Sequence, residues 1–268
     1  MLRDITLGQY YPTESVLHKL DPRVKLLGTL VFLVSLFLIP NFIGYIIATI
    51  FLICMILLSK VPFSFMVRGL KAVVILLLVT VIINLFATPG EVLVSFWKFR
   101  ITKEGIYASV FMMLRLIYLI IGSSIMTLTT TPANLTDGME KALSPLSLIR
   151  VPVHEIAMMM SIALSFIPIL LEETDKIMKA QMARGADFES GNLIRRVKNM
   201  IPLLVPLFIS AFRRANDLAM AMEARCYRGG DGRTKMKPLK YHVNDVIAYV
   251  LLALYLAAVI VIPRVILA

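Results

Sequence analysis

Long apolar runs, separated by short polar segments, dominate this chain. Five of them are interpreted as membrane spans, at residues 26–39, 42–58, 70–87, 107–128 and 246–262. The first has 14 residues and needs its flanks to reach the roughly 20 that cross a bilayer. Because lipid offers the backbone no hydrogen-bond partners, each run must be an α-helix, and the alternation of a membrane barrel is absent from the sequence. The pattern predicts an all-α, polytopic membrane protein.

Composition excludes a soluble globular domain and a disordered chain. Hydrophobic residues fill 59% of the 268 positions, above the usual ~45–50%, and charged residues only 17%. The formal net charge of +11 indicates, in a membrane protein, cytoplasmic loops beside anionic lipid or acidic partners rather than nucleic-acid binding. The two cysteines, Cys54 and Cys226, allow neither a disulfide framework nor a zinc site.

Lysine and arginine residues are distributed unevenly among the loops. With five spans and a cytoplasmic N-terminus, segments 1–25, 59–71 and 129–245 hold 23 of them, and the outer segments hold four. This asymmetry predicts a cytoplasmic N-terminus and an outer C-terminus. The chain is therefore divided into an N-terminal segment with four spans (1–128), a cytoplasmic region of long helices (129–245) and a last span (246–268).

Two further apolar stretches lie inside the cytoplasmic region. Residues 201–212 are too few to cross about 30 Å of hydrocarbon as a helix, and they include Pro202 and Pro206. If 156–171 crossed alone, the 14 lysines and arginines that follow it in this region would face outward, against the charge asymmetry. We interpret both stretches as helices that lie against the membrane or other spans. A sixth span at 151–171 stays an open alternative.

The cytoplasmic region is too long for a simple loop and is predicted to be helical. Three helices are expected, each bounded by residues that favour a helix start or stop. They cover 135–143 (N-cap Asn134, stop at Ser144-Pro145), 154–182 (kink at Pro168, C′ residue Gly185) and 193–227 (bends at Pro202 and Pro206, stop at Gly229, Gly230 and Gly232).

The two long helices repeat each other with an offset of 41 residues. Each carries an apolar, a small and an arginine residue at i, i+3 and i+7, on one helix face, and each ends in Ala-Arg-small. One such arginine is explained by the helix dipole, worth ~0.3–1 kcal/mol. Two like ends favour a partner that has two like subunits, whose carboxylates a planar guanidinium binds well. The candidate docking residues are Ala183, Arg184, Gly185, Ala224, Arg225 and Cys226.

The segment Asp21-Pro22-Arg23 precedes the first span and has a structural explanation. Asp21 is expected to cap the span helix, with Pro22 at its first position, where a missing N–H costs nothing. Arg23 and Lys25 are then interpreted as contacts for lipid headgroups.

Arg115 stands in the middle of the fourth span. A lone cation there costs at least ~2.5–3.5 kcal/mol, so it must face protein or water. Asn84 and Glu155 are its candidate partners. We favour a structural ion pair over a role in transport.

The opening segment and the paired helix ends together resemble the transmembrane T component of energy-coupling factor (ECF) transporters, which import vitamins or metal ions. The order of elements fits as well, and the resemblance covers essentially the whole chain. It is carried by the two Ala-Arg-small tripeptides and by Gly8-Gln9-Tyr10, Pro12, Ser15, Leu17-His18, Leu20-Asp21-Pro22-Arg23 and Lys25-Leu26.

This resemblance implies a non-catalytic coupling subunit in the cell membrane of a prokaryote. In the family, two cytoplasmic ABC-type ATPase subunits, expected here as a heterodimer, hold ATP and Mg, and a membrane S component binds the vitamin or metal ion. The T component joins them and binds no cofactor itself. The arginine of each motif docks in a groove on one ATPase, which by motif position implies Arg184 and Arg225. The remaining helix surface faces the S component, which topples in the membrane to release its substrate.

No feature of the sequence indicates catalysis by this chain. It has no G-x-x-x-x-G-K-[ST] loop, and Gly229-Gly230-Asp231-Gly232-Arg233 does not approximate one. No catalytic triad or metal cluster is visible, and the scattered residues His18, His154 and His242 are interpreted as interfacial polar groups. Two alternatives are a stand-alone secondary transporter, which would need a midplane site and inverted repeats, and a membrane-embedded enzyme. The sequence does not name the cargo.

Overall fold

The computed structural model describes residues 10–96, 99–186, 188, 193–230, 236 and 238–267. Within these ranges the chain is predominantly helical, which confirms the predicted class, and one short β-hairpin interrupts the helices. The elements are α1 (Val16–Lys19), α2 (Pro22–Leu38), α3 (Phe42–Ser59), α4 (Phe63–Ala87), β1 (Val92–Phe96), β2 (Phe99–Thr102), α5 (Lys103–Thr129), α6 (Pro132–Ala142), a 3-10 helix (Ser144–Ile149), α7 (Val153–Ala183), α8 (Leu193–Ala224) and α9 (Val243–Leu267).

Four helices are long and apolar enough to cross a membrane. Helix α4 is bent by 61° between two segments, and it makes a fifth if the two segments are one span. The four are α3, α5, α7 and α9. This set differs from the predicted spans at two places. Helix α2 has 17 residues, about 25 Å at 1.5 Å per residue, and is short for a span. Helix α7 meets the length and composition test, so only the charge asymmetry speaks against its crossing.

The connection between the first two apolar helices is short, because α2 ends at Leu38 and α3 begins at Phe42. The hydrophobic core around these two helices lies between α2, α3, α5 and α9. Buried hydroxyls tie the helices together: Ser35 Oγ and Tyr255 Oη are 2.7 Å apart, and Thr49 bonds Tyr118 across α3 and α5. The fully buried apolar side chains include Leu36 and Ala48.

The β-hairpin between α4 and α5 was not anticipated from the sequence. Strands β1 and β2 pair antiparallel, with Phe96 opposite Phe99 and an irregularity between Val92 and Val94. At the end of β2, the Thr102 hydroxyl donates to the Thr88 carbonyl (2.8 Å) and accepts from the Gly105 N–H (3.0 Å). Thr102 is thus the N-cap of α5 and holds the hairpin against the end of α4.

Two helix boundaries in the cytoplasmic region differ from their prediction. Helix α6 begins at Pro132, and its N-cap is Thr131, whose Oγ1 accepts from the Asn134 N–H (3.3 Å); Asn134 is therefore inside the helix. Helix α8 ends at Ala224, before the glycines that were expected to stop it. The prediction of one long helix with Pro168 inside and Gly185 just past its end is confirmed by α7, and the kink expected at Pro168 stays a prediction.

The chain forms two compact units, one of residues 140–238 and one of residues 8–139 with 239–268. The first contains α7 and α8, which pack against each other. The second contains α1 to α5, the β-hairpin and α9. The boundaries lie near those proposed at residues 129 and 245, and the cytoplasmic location of the region between them stays a prediction.

Candidate functional site

Helices α7 and α8 form an antiparallel pair. Glu173 Oε2 and Arg214 Nη2 lie 3.4 Å apart across the pair, and further along α7 the side chain of Gln181 donates to the Pro202 carbonyl (3.3 Å). As the residue number rises on one helix it falls on the other, which defines the antiparallel direction.

In this antiparallel pair, the 41-residue offset found in the sequence corresponds to a local two-fold axis that relates α7 to α8. Glu173 and Arg214 are 41 positions apart, so each is the other's counterpart in the repeat, and they contact each other. In a two-fold pair, a residue meets its own counterpart only near the axis. The axis therefore passes close to this ion pair.

Helix α7 ends in a Schellman motif. The Gly185 N–H donates to the Met182 carbonyl (2.9 Å), and the Ala186 N–H donates to the Gln181 carbonyl (3.0 Å). Gly185 is the C′ residue with φ +89°, in the left-handed region that glycine adopts without strain. Arg184 is then the C-cap, and it is exposed.

Helix α8 ends in the same motif. The Cys226 N–H donates to the Glu223 carbonyl (2.8 Å) and the Tyr227 N–H to the Met222 carbonyl (3.0 Å). Cys226 has φ +56°, and Arg225 occupies the C-cap position. The third residue of each tripeptide is the C′ residue and takes a left-handed backbone, which Gly185 adopts without strain and Cys226 adopts at a cost. Cys226, rather than the glycines that follow it, ends the helix.

The two arginines at the C-cap positions lie at opposite ends of the helix pair. Arg184 is eleven residues beyond Glu173, and Arg225 is eleven residues beyond Arg214 in the opposite direction. At about 1.5 Å per residue, the two arginines are about 33 Å apart along the pair. Ala183 and Ala224, one position before them, are also exposed. The structure therefore presents two like, accessible helix ends that one partner with two-fold symmetry could contact.

The Asp21-Pro22 cap is confirmed. Asp21 accepts from the Arg23 N–H (2.9 Å) as the N-cap of α2, and Pro22 is at the first position. The sequence interpretation missed Asp245, which is 1% exposed. One of its oxygens accepts from the His242 N–H (2.7 Å) and the other from the Asp21 N–H (2.8 Å). Its only sequence signal is an acidic residue in the first turn of α9, which is a common helix start.

Arg23 and Lys25, which were interpreted as headgroup contacts, both make contacts within the protein. The Lys25 ammonium donates to the Thr129 carbonyl (2.9 Å) and the His18 carbonyl (3.2 Å). The Arg23 guanidinium lies 5.0 Å from the ring centre of Tyr241, a cation–π contact. These side chains join the start of α2 to the end of α5 and to the residues before α9.

The ion pair expected for Arg115 is also corrected. Its Nε donates to the Tyr45 hydroxyl (3.3 Å), and its guanidinium lies 5.1 Å from the ring centre of Phe37. The Asn84 amide, one of the two expected partners, donates to the Thr80 carbonyl in its own helix (2.8 Å). Phe37 is next to last in α2 and Tyr45 is in the first turn of α3. The guanidinium is thus level with the α2–α3 turn, although Arg115 is central in α5.

The three histidines do not come together. His18 bonds Ser15 Oγ (2.6 Å) and the Tyr11 carbonyl (3.0 Å), and burial lowers its pKa, with the Lys25 charge adding to that effect. His154 contacts a carboxylate oxygen of Glu140 at 3.0 Å. No cluster of three or more potential metal ligands is found among the residues that the structure describes.

The sequence matches one protein family and several proteins of one name. The cobalt transport protein family, CbiQ, matches residues 13–236 of this chain. The energy-coupling factor transporter transmembrane protein EcfT of Clostridium kluyveri is 57% identical over 99% of this chain and 98% of its own length. The proteins of that name from Thermosediminibacter oceani and Bacillus subtilis are 55% and 48% identical, over 93% and 91% of this chain and 94% and 93% of their own lengths.

These matches run through the capped segment Asp21-Pro22-Arg23 and both Ala-Arg-small helix ends. They agree with a chain that has four or five helices able to cross a membrane. The chain therefore belongs to the CbiQ/EcfT family, as a multi-pass, energy-coupling transmembrane subunit of an ECF transporter and a transport component rather than an enzyme.

Proposed function

We propose that this chain links two cytoplasmic ATPase subunits to a membrane S component and transmits the ATP-driven motion between them. ATP and Mg are held by the ATPases, and the cargo is chosen by the S component. The observation that carries this proposal is the pair of identical Schellman motifs, each with an exposed arginine at the C-cap. A planar guanidinium at each end suits an acidic groove on one ATPase.

The 33 Å spacing, derived above from a helical rise of about 1.5 Å, supports an orientation for the helix pair. If both Arg184 and Arg225 meet cytoplasmic subunits, both ends of the α7–α8 pair lie on the cytoplasmic side. A pair that crossed about 30 Å of hydrocarbon would carry one arginine to the outer side. The proposal therefore counts α7 among the cytoplasmic helices, with the N-terminus on the same side.

Copurification of the whole transporter tests the proposal. Arg184→Ala and Arg225→Ala should each loosen one ATPase, and the double variant should lose both. Removing one partner of a buried, hydrogen-bonded charge pair costs ~2–5 kcal/mol, which corresponds to roughly thirtyfold or more in affinity. Lysine should rescue only in part, because it lacks the planar fork.

The matched control is Arg213→Ala, which removes an exposed arginine of α8 away from its end. It should retain both ATPases. If the double Arg→Ala variant recovered both ATPases and supported normal uptake, these arginines would have only their dipole role of ~0.3–1 kcal/mol.

A stand-alone secondary transporter is the alternative. It would need a substrate site with several polar groups among the spans. The cavity between α2, α3, α5 and α9 measures about 350 Å³, and of the described residues that line it only Lys25 is charged. Because the Lys25 ammonium already donates to two carbonyls, we favour the coupling role. A transporter of that kind would purify and transport without ATPases.

A further inference from the structure

The two ends of the α7–α8 pair are related by the local two-fold axis, but they are packed differently. At the Arg184 end, Gln181 of α7 donates an exposed hydrogen bond to the Pro202 carbonyl of α8 (3.3 Å). Adding 41 to the number of Gln181 and subtracting 41 from that of Pro202 gives the equivalent positions at the Arg225 end, Met222 and Ser161. These two side chains line an open cavity of about 660 Å³.

This cavity has a mostly apolar floor and a basic rim. Its floor comes from both helices, and its rim is the end of α8, from the C-cap residue Arg225 onward, and includes Arg228. A volume of 660 Å³ lies within the ~300–1,000 Å³ of typical ligand pockets. Methionine side chains make such a floor adaptable to the shape that enters it. The floor residues are Met158, Ser161, Ile162, Leu218 and Met222.

We propose that this cavity receives an apolar side chain of the ATPase that docks at Arg225, next to an acidic group of the same segment that pairs with Arg225 or Arg228. The inference rests on the proposed function and deepens it. Docking at this end is then reciprocal, because the arginine enters the ATPase and a side chain of the ATPase enters this chain.

The physical basis is the way that interfaces concentrate their affinity. A few side chains that fill well-packed, desolvated pockets contribute most of it, while surrounding contacts exclude water. The cavity is continuous with the cap that carries Arg225, so one docking segment can reach both. Two guanidinium groups at the rim favour a partner that carries a carboxylate there.

A pair of tryptophan substitutions tests the cavity at equivalent positions. Leu218→Trp fills it from the floor, whereas Ile177→Trp places the same side chain at the counterpart of Leu218 near the other end. With the cap arginines intact, Leu218→Trp should weaken binding of the ATPase at the Arg225 end by about tenfold to thirtyfold. Ile177→Trp should retain both ATPases. Equal retention by the two variants would overturn the inference.

Thiol protection provides a second measurement that does not depend on filling the cavity. Ser161→Cys places a thiol on the cavity wall, and Ala163→Cys places one two residues away, at an exposed position that does not line it. Alkylation by N-ethylmaleimide is followed at each position by peptide mass spectrometry, with and without the ATPases. Bound ATPases should abolish alkylation at position 161 and leave position 163 reactive.

The outcomes separate this inference from the proposed function. If wild-type chain fails to bind ATPases at all, the proposed function fails. If it binds them while position 161 stays reactive, only the cavity inference is overturned. Protection of position 161 by the S component alone, or by lipid in vesicles that hold this chain alone, would assign the cavity to that occupant instead and likewise overturn it.

Discussion

The backbone N–H of Asp21 donates a hydrogen bond of 2.8 Å to the side chain of Asp245, which lies 224 residues later in the chain. The second oxygen of Asp245 accepts from the His242 N–H, so one buried carboxylate caps α9 and also holds the start of α2. The capped segment that precedes the first helix is therefore joined to the start of the last helix. This contact helps to fix the start of α2 at the Asp-Pro-Arg segment.

Asp245→Ala should destabilise the protein clearly. The substitution leaves the buried Asp21 N–H without an acceptor, which costs ~1–3 kcal/mol, and it also removes the part-buried hydrogen bond from the His242 N–H. Thermal unfolding of the purified protein in detergent measures the effect. Glu14→Ala is the control, because its pair with Lys19 is exposed and is worth only ~0–1 kcal/mol. Similar unfolding temperatures for both variants would contradict the role given to Asp245.

The pH dependence of stability should include a contribution from His18. Burial lowers its pKa below the usual 6.5, so between the lowered value and about 6.5 the unfolded chain binds more protons than the folded one. In this window the stability that His18 contributes rises with pH. This contribution is fully present above about pH 6.5 and is lost as the pH falls through the pKa of the folded state. The groups that face His18 are Ser15, the Tyr10 ring, the Tyr11 and Leu128 carbonyls and Lys25.

His18→Gln is the variant that separates this contribution from all others. Glutamine can still donate to the Tyr11 carbonyl but does not titrate. The difference in unfolding temperature between wild type and variant should shrink as the pH is lowered from about 7.5 to about 5, because only the wild type must take up the extra proton. A difference that stays constant over this range would refute the assignment.

Arg115→Met should cost less than the loss of a buried ion pair. Breaking such a pair costs ~3–5 kcal/mol. Arg115 instead bonds one hydroxyl and stacks on one ring, and we expect about 1–2 kcal/mol for these contacts. Tyr45→Phe, which removes the same hydrogen bond from the other side, should have a smaller effect because the ring contact remains. A loss near 4 kcal/mol for Arg115→Met would reveal a carboxylate partner in the assembled protein.

The two helix caps should respond in opposite directions to matched substitutions. Gly185→Ala forces a side chain into the left-handed region, which costs roughly 1–2 kcal/mol, and no nearby atom adds a clash. Cys226→Gly relieves the same strain at the end of α8 and should stabilise by about 1 kcal/mol. Differential unfolding measurements on the two variants check this. If both destabilised equally, the left-handed position would not be the reason for the small residue.

Membrane topology can be checked with single cysteines at two exposed positions. With the proposed orientation, Glu91→Cys, just before the β-hairpin, should react with an impermeant thiol reagent added outside. Ser144→Cys, in the 3-10 helix that follows α6, should react only after the membrane is opened. Labelling of position 144 from outside would reverse the orientation or add a span before α7.

The class of protein and the candidate docking residues followed from local sequence patterns. Apolar runs determine helices in lipid whatever surrounds them, because an unpaired backbone group costs several kcal/mol there. The repeated Ala-Arg-small tripeptides predicted two like helix ends, and both ends have the same hydrogen bonds. Asp21 and Pro22 were correctly assigned for the same reason: a cap acts within one turn and needs no distant partner.

Boundaries that depend on competition between neighbouring signals were predicted less well. Three glycines near the end of α8 looked like its stop, but Cys226 takes the left-handed conformation first. Thr131, next to Pro132, caps α6 in place of Asn134. The β-hairpin was missed because its strands are short and derive their order from contacts of Thr102 with α4 and α5.

The sequence by itself determined the membrane class, the helices and the two repeated ends. Only the tertiary structure decided how distant side chains meet. Arg115 is central in its own helix, yet it lies level with the α2–α3 turn, because α2 is shorter than α5 and packs along only part of it. Asp245 became a shared cap, and Glu173 met its own repeat counterpart Arg214, for the same physical reason: contacts between residues far apart in the chain depend on helix lengths and crossing positions, which no local pattern encodes.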